Sequence, residues 1–235
     1  MKASDVQKEQ RKLANPKQAE LLQRFFKTGP GEYGEGDRFL GLKVPQVRKV
    51  AKQCKGLELS EIQKLLDSRV HEDRQAGLFI LVRNFEKGEA EARKGIYEFY
   101  LKNTKNINNW DLVDLTAPNI VGGWLLDKGA GERKILYKLA KSKSLWERRI
   151  AVLATFMFIK YKDYDDALRV ADMLVADKHD LIHKGVGWML REIGNRDQKV
   201  EEEWLKRHYK TMPRTMLRYA IEKFDEKKRK FYMGK

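Results

Sequence analysis

Apolar residues recur along most of this chain with the three- to four-residue spacing of amphipathic helices. One such run follows Pro16 and continues to Phe26, and another follows Pro45. Proline is well tolerated in the first turn of a helix, where its missing N–H needs no partner. Alternation of apolar and polar residues does not persist beyond a few positions, so we expect no sheet. The pattern predicts an all-α fold.

Local signals place several boundaries between these helices. Ser60 with Gln63, and Ser144 with Glu147, have the spacing of a capping box, which predicts a helix N-terminus at each serine. The glycine-rich segment 29–36 follows no strand pattern and lacks the lysine of a phosphate-binding loop. We therefore interpret it as a flexible connector.

Strongly apolar helix starts recur along the chain at intervals of 30 to 38 residues. Asp111 lies at one of them, and the others carry a basic residue, namely Arg74, Arg149, Lys184 and Arg214. The interval is close to the roughly 40-residue, two-helix unit of HEAT repeats. Such units stack into a curved solenoid because none buries its apolar face alone. We predict one HEAT-like domain over residues 1–235.

The recurring basic residues would lie in a row if the second helix of each repeat lines the concave face. A basic groove of this kind would bind the phosphodiester backbone of DNA without regard to sequence. The alternative is that each basic side chain pairs with an acid of its own repeat, such as Glu72, Asp73 or Glu147. The sequence leaves both interpretations open.

The overall charge favours a polyanionic partner. The chain has 49 Lys and Arg against 34 Asp and Glu, a net charge of +15. Solubility alone needs a net charge of only about 2–8. Nucleic acid is the first candidate for such a surplus and an anionic membrane the second.

Cysteine content and the N-terminus bear on the compartment. Cys54 is the single cysteine, so no intramolecular disulfide can form and we expect a reducing environment. The first residues are charged and no stretch reaches the length of a transmembrane helix. We expect a cytoplasmic protein that does not bind membranes.

A tryptophan and two carboxylates interrupt the basic row. Trp110 and Asp114 are four residues apart and would share one face of a helix. Acidic groups in a phosphate-binding groove weaken DNA affinity, so they need a local reason. Helix capping by Asn109 or Asp111 is one such reason. It does not extend to Asp114, which falls at or beyond the first turn and is therefore a candidate functional residue.

A second aromatic candidate lies further along the chain. Trp188 and Arg191 are three residues apart and share a helix face. Gly185 and Gly187 remove side chains beside them, which lets a ligand or another backbone approach closely. Ordinary core packing is the alternative for this tryptophan.

The chain resembles the AlkD-like DNA alkylation repair glycosylases, which are built from HEAT-like repeats. The resemblance lies in the order and spacing of four segments, Phe39–Pro45, Trp110–Asp114, Leu145–Arg149 and Gly187–Glu192. In that family a tryptophan with an aspartate four residues on, an arginine of the next repeat and a Trp-x-x-Arg pair form the DNA-facing site. The resemblance therefore implies a site made of Trp110, Asp114, Arg149, Trp188 and Arg191.

The resemblance also implies a reaction, the release of cationic bases such as 3-methyladenine and 7-methylguanine from duplex DNA. Breaking the N-glycosidic bond builds positive charge on the sugar, while an already cationic base leaves without a general acid. Asp114 would stabilise the sugar cation and place a water. The two tryptophans would contact the sugar and the cationic base. Phosphate contacts are expected from Arg149 and Arg191, with further DNA contacts from Arg74, Arg148, Lys184 and Arg214.

Two other functions remain open on this sequence. A non-catalytic relative could bind distorted or branched DNA, and a HEAT-type scaffold could bind an acidic protein. We expect a monomer without metal or cofactor. His179 and His183 have a zinc-compatible spacing, but the sequence shows no third ligand nearby.

Overall fold

A computed structural model describes residues 1–54 and 56–234 of the chain. Within these residues the regular structure is helical, and the β-type pairing is an isolated bridge between Arg38 and Val70. The prediction of an all-α fold is therefore confirmed. The chain divides into two compact units, Met1–Thr116 and Ala117–Lys235.

The N-terminal unit is organised around one central helix. Its helices are α1 (Ala3–Arg11), α2 (Pro16–Phe25), α3 (Val44–Gln53), α4 (Leu59–Leu66), α5 (His71–Lys87), α6 (Ala90–Lys102) and α7 (Trp110–Asp114). The longest of them, α5, packs against α1, α3, α4, α6 and α7. Because neighbours surround α5, its start is buried on every side, polar residues included.

The C-terminal unit contains successive layers of paired helices. After a π-helical turn at Pro118–Gly122, it consists of α8 (Gly123–Leu125), α9 (Ala130–Ala140), α10 (Leu145–Ala154), α11 (Phe156–Lys160), α12 (Asp165–Leu174), α13 (Asp180–Gly194), α14 (Gln198–His208), α15 (Arg214–Ala220) and α16 (Glu226–Met233). Helix α10 packs on α9 and α13, and α13 packs on α14 and α15. Each apolar helix thus contacts its partner and the corresponding helix of the next pair, as helical repeats do.

A glycine sets the spacing between α13 and α15. A Cβ atom at Gly187 would lie 2.6 Å from the Cβ of Tyr219 and would also overlap the carbonyl oxygen of Met216. The sequence predicted a close approach of a backbone or a ligand at this glycine. The structure places the backbone of α15 there.

Local sequence signals located most of the tested helix starts. Asn15 caps α2 with Pro16 as the first helical residue. Ser144 caps α10 by accepting from the N–H of Glu147 at 3.4 Å, which confirms that prediction. At Ser60 a helix start is found one residue earlier than predicted, because α4 begins at Leu59, and the cap is Glu58 and not the serine.

The helices differ from membrane-spanning segments in length and composition. Among residues 1–54 and 56–234, none is both long and apolar enough to cross a bilayer.

Candidate functional site

Helix α7 presents a tryptophan and a carboxylate on the same face. Trp110 is its first residue and Asp114 its last, one helical turn apart, and both side chains are half-buried. Asn109 is buried and caps the helix through its side-chain oxygen, 2.8 Å from the N–H of Trp110. The predicted cap at Asn109 is confirmed, so capping accounts for this residue and not for Asp114.

The ring of Trp110 lies at one end of an aromatic stack. It is stacked on Phe26 with 5.2 Å between ring centroids and a 17° interplanar angle. Phe26 is stacked in turn on Phe39 at 5.0 Å, and Phe39 on the imidazole of His71 at 4.6 Å. Phe25 meets Trp110 edge-on at 6.0 Å and is 62% exposed. The stack fixes the plane of the Trp110 ring and leaves one apolar aromatic side chain beside it in solvent.

An ion-pair network lies beneath this stack. His71 is buried, with Nε2 at 2.8 Å from Oδ2 of Asp111 and Nδ1 at 3.2 Å from Oδ2 of Asp37. Burial alone would lower the pKa of His71, but the charges and hydrogen bonds of Asp111 and Asp37 raise it to about 9. With both ring nitrogens facing carboxylates, each nitrogen carries a proton and donates. His71 is therefore an imidazolium at neutral pH.

Asp111 joins this network to α7. Its Oδ2 atom accepts from Nε2 of Gln75 at 2.8 Å as well as from His71, and its Oδ1 atom accepts from the N–H of Leu112 at 2.9 Å. The position of Asp111 at the start of a helix predicts a possible capping role, and the Leu112 contact is of that local kind. The other carboxylate oxygen anchors α7 to α5. The direction of the Trp110–Asp114 face is thus fixed from α5.

A buried tyrosine lies near the carboxylate of Asp114. The Tyr100 hydroxyl is 2.9 Å from Oγ1 of Thr116, which donates to the carbonyl of Leu112 at 2.5 Å. Burial raises the pKa of Tyr100 well above its ordinary value, and the charge of Asp114 raises it further. The phenol therefore stays neutral and adds no charge beside Asp114.

The first member of the predicted basic row is buried and paired. Arg74 is 4% exposed, pairs with Oδ2 of Asp37 at 2.7 Å and donates to the carbonyl of Ser68 at 2.9 Å. The guanidinium is thus enclosed, and its charge is balanced by Asp37. A DNA contact by Arg74 stays a prediction.

The alternative, pairing with acids of the same repeat, fails at this position. Glu72 accepts instead from the backbone N–H groups of residues 40–42 at 2.9 to 3.1 Å. Asp73 pairs with Arg11 at 2.5 Å. The acids beside Arg74 thus hold segments far away in the sequence, and the acid that binds Arg74 comes from a loop.

The other predicted basic residues also have partners, all within the C-terminal unit. Arg148 pairs with Asp177 at 2.7 Å, and Lys184 pairs with Asp180 at 2.6 Å. Arg214 donates to the carbonyl of Met233 at 2.7 Å. These side chains are partly exposed, so their role as DNA contacts stays a prediction.

Arg149 differs from its neighbour in being enclosed. It is 5% exposed, and its guanidinium donates to the carbonyl of Leu181 at the start of α13. A Cβ atom on Gly185 would lie 3.4 Å from the same guanidinium. Arg149 thus lies directly against the backbone of α13 at Gly185.

Trp188 and Arg191 share one face of α13. The indole N–H of Trp188 donates to Oε1 of Glu192 at 3.3 Å, and Arg191 forms an ion pair with Glu222. The tryptophan is half-buried, with the ring of Phe156 6.3 Å away. Simple core packing does not describe this indole, because part of it remains accessible.

The five residues implied by the resemblance thus fall in two groups. Trp110 and Asp114 lie on α7 of the N-terminal unit. Arg149 lies against α13, which carries Trp188 and Arg191, in the C-terminal unit.

Sequence reasoning missed the residues that hold the first group. Phe26, Asp37 and His71 contact Trp110, Arg74 or Asp111 from distant segments, and no spacing connects them along the chain. The polar run that opens the otherwise apolar helix α5 was the one available signal, because such residues are buried only when paired.

The successive pairs of packed helices place the protein in the class of helical-repeat proteins. The sequence matches the family model "DNA alkylation repair enzyme" over residues 6–224, and the chain belongs to that family. No curated protein matches the sequence.

Solved structures share the fold. A predicted DNA alkylation repair enzyme from Enterococcus faecalis superposes with a TM-score of 0.69 at 17% identity, covering 91% of this chain and 97% of the other. AlkD2 from Streptococcus mutans gives a TM-score of 0.56 at 18% identity, covering 95% of this chain and 97% of the other. At these identities the likeness is one of fold.

Proposed function

We propose that the protein is a DNA glycosylase that releases cationic alkylated bases, of the 3-methyladenine and 7-methylguanine type, from duplex DNA. The observation that carries the proposal is the pairing of Trp110 with Asp114 on one face of α7 in a member of this family. We further propose that it acts in the cytoplasm as a monomer, without metal or cofactor.

Asp114 is the proposed catalytic residue. The base leaves with the electron pair of the N-glycosidic bond, which neutralises its positive charge and leaves the sugar as an oxocarbenium-like cation. The carboxylate would stabilise that cation and orient a water whose oxygen then bonds to the sugar carbon, while the proton released from that water passes to the carboxylate. The half-buried position of Asp114 favours this role, because electrostatic attraction is stronger where water is partly excluded.

The tryptophans are the proposed contacts to the sugar and base. Trp110 is pre-oriented by its stack on Phe26 and by the anchor of Asp111, so little conformational freedom would be lost when the substrate binds. An indole face attracts a nearby cation by about 0.5–2 kcal/mol. Trp188 would supply a second face.

The arginines are the proposed phosphate contacts. Arg191 would exchange the carboxylate of Glu222 for a phosphate, a substitution that keeps a charge-assisted hydrogen bond. Arg149 would add positive charge at the start of α13. Arg148, Lys184 and Arg214 remain proposed backbone contacts.

Release of free base tests the proposal. Duplex DNA carrying 7-methylguanine is incubated with the wild type and with Asp114→Asn, which keeps the size of the side chain and removes its charge. We expect the wild type to release the base and the variant to lose at least 100-fold in single-turnover rate, as loss of one preorganised electrostatic group does. DNA affinity should not fall in the variant.

Asp127→Asn is a matched control, since it removes a carboxylate from an exposed position after α8. It should release base at the wild-type rate. No release by folded wild type that still binds DNA tightly would reject the glycosylase and favour a protein that binds distorted or branched DNA. Binding that does not weaken with salt would favour a protein partner instead.

A further inference from the structure

Helices α9 and α12 line a cavity that is open to solvent and that none of the candidate site residues lines. Its volume is about 680 Å³, and its lining residues are Ala130, Lys134, Tyr137, Lys138, Lys141, Arg169 and Met173. The candidate residues of the same unit lie on α10, α13 and α15 instead. The cavity therefore has its own set of side chains.

The lining is cationic without matching acids. Lys134 and Lys138 of α9, and Lys141 at its C-cap, are exposed and follow one another at intervals of about one helical turn. Among residues 1–54 and 56–234, no carboxylate lies within ion-pair distance of these three ammonium groups. Like charges so placed repel one another, and an anion in the cavity would relieve that repulsion.

Two acids of the same region already have partners of their own. Asp166 pairs with Arg133 at 3.0 Å and accepts from the Tyr137 hydroxyl, while Asp163 pairs with the same arginine at 2.6 Å. Burial and the charge of Asp166 raise the pKa of Tyr137 to about 12, so the phenol adds no negative charge. The guanidinium of Arg169 lies 4.5 Å above the Tyr137 ring and faces the lysines from α12.

The layout suits a polymer better than a single phosphate. The lysine row spans seven residues of helix, about 10 Å at 1.5 Å per residue. Each strand of duplex DNA presents a regular series of phosphates, so successive lysines of the row can meet successive phosphates. A single phosphate would be held by donors converging on one point, whereas these three lysines leave the backbone at positions spread over two helical turns.

We propose that the α9–α12 cavity is a second DNA-binding surface, which contacts the phosphate backbone of a duplex other than the one at the candidate site. The family assignment makes DNA the expected polyanion, and the proposal does not depend on base release. A protein with two such surfaces can hold one duplex while it inspects another, or bridge two segments of one molecule.

Counting duplexes per protein tests this inference. Short undamaged duplexes are titrated into the protein at low salt, and the complexes are resolved by sedimentation velocity. We expect two duplexes on the wild type. In the double variant Lys134→Gln/Lys138→Gln the second binding step should weaken. The slope of its log binding constant against log salt concentration should shrink by about 1.8, or about 0.9 per lost phosphate contact. The first step should not change.

Lys94→Gln with Lys102→Gln on α6 is the matched control, because it removes the same charge from exposed lysines outside the cavity. It should retain the second step and its slope. One duplex per wild-type protein, or equal weakening in both double variants, would overturn the proposal. A second step lost to millimolar inorganic phosphate but unaffected by the cavity substitutions would overturn it as well. Because the titrated DNA is undamaged, the number of bound duplexes can be measured whether or not the protein is a glycosylase.

Discussion

Replacing Glu201 by glutamine should stabilise the protein, and the gain should increase with pH. Glu201 lies on α14 and is 1% exposed, with its carboxyl packed against Gly194 of α13, where the missing side chain makes room. Among the described residues, its Oε1 atom has no hydrogen-bond partner. Burial and the charge of Glu202 raise the pKa of Glu201 to about 9 from an ordinary 4.5, against the opposing effect of Arg191.

The size of the effect follows from linkage between protonation and folding. Between pH 4.5 and 9 the unfolded chain loses this proton and the folded chain keeps it. The contribution of this proton to the free energy of unfolding is therefore fully present below pH 4.5. Between pH 4.5 and 9 the free energy of unfolding falls by up to about 1.4 kcal/mol per pH unit. Because pH 7 lies 2.5 units above the ordinary pKa of 4.5, the wild type has lost about 3 kcal/mol of unfolding free energy at that pH. Glutamine cannot ionise, so the variant does not have this loss.

Urea unfolding at pH 5, 7 and 8.5 measures the difference between wild type and Glu201→Gln. The free energies of unfolding should lie within about 1 kcal/mol at pH 5 and diverge above it. Any contribution from His71 is common to both proteins and cancels in the difference. Glu203→Gln, an exposed position on the same helix, should follow the wild type at every pH. Parallel curves for wild type and Glu201→Gln would refute the protonated, buried carboxyl.

Two further predictions concern the packing and the charge network. Proton NMR should show His71 titrating near pH 9, while burial keeps the pKa of His179 below its ordinary 6.5. The His71→Gln variant assigns the His71 signal. A titration midpoint near 6.5 for that signal would contradict the imidazolium between Asp37 and Asp111. Gly187→Ala should lower the free energy of unfolding by about 1–3 kcal/mol, since the new methyl group meets α15. Gly95→Ala on α6, where nothing lies within 4 Å, should instead gain up to about 1 kcal/mol from helix propensity, and equal losses at both glycines would show that packing is not the cause.

Helices and their caps were predictable because the signals are local. Proline at position 16, Asn109 and Ser144 each act within one turn of their own helix, and apolar spacing reports which face is buried. The shared face of Trp110 and Asp114 likewise follows from a spacing of four residues.

Partners brought together by chain topology were not predictable. Arg74 pairs with Asp37 from the loop before α3, where local reasoning offered Glu72 or Asp73. The stack of Trp110 on Phe26 depends on where α2 ends relative to α7. The resemblance identified residue types at the candidate site, but their supporting contacts required the three-dimensional arrangement.

Four successive polar residues open α5, and each secures a different part of the N-terminal unit. His71 holds α7 through Asp111, Glu72 holds the backbone of residues 40–42, Asp73 holds α1 through Arg11, and Arg74 holds the loop at Asp37. A mutational scan selected for repair activity would find these positions as intolerant as apolar core residues. Their polarity and their nearness to Trp110 would invite a catalytic interpretation. Cellular abundance separates the two cases, because substitutions in this run deplete the folded protein whereas a change confined to chemistry leaves its level intact.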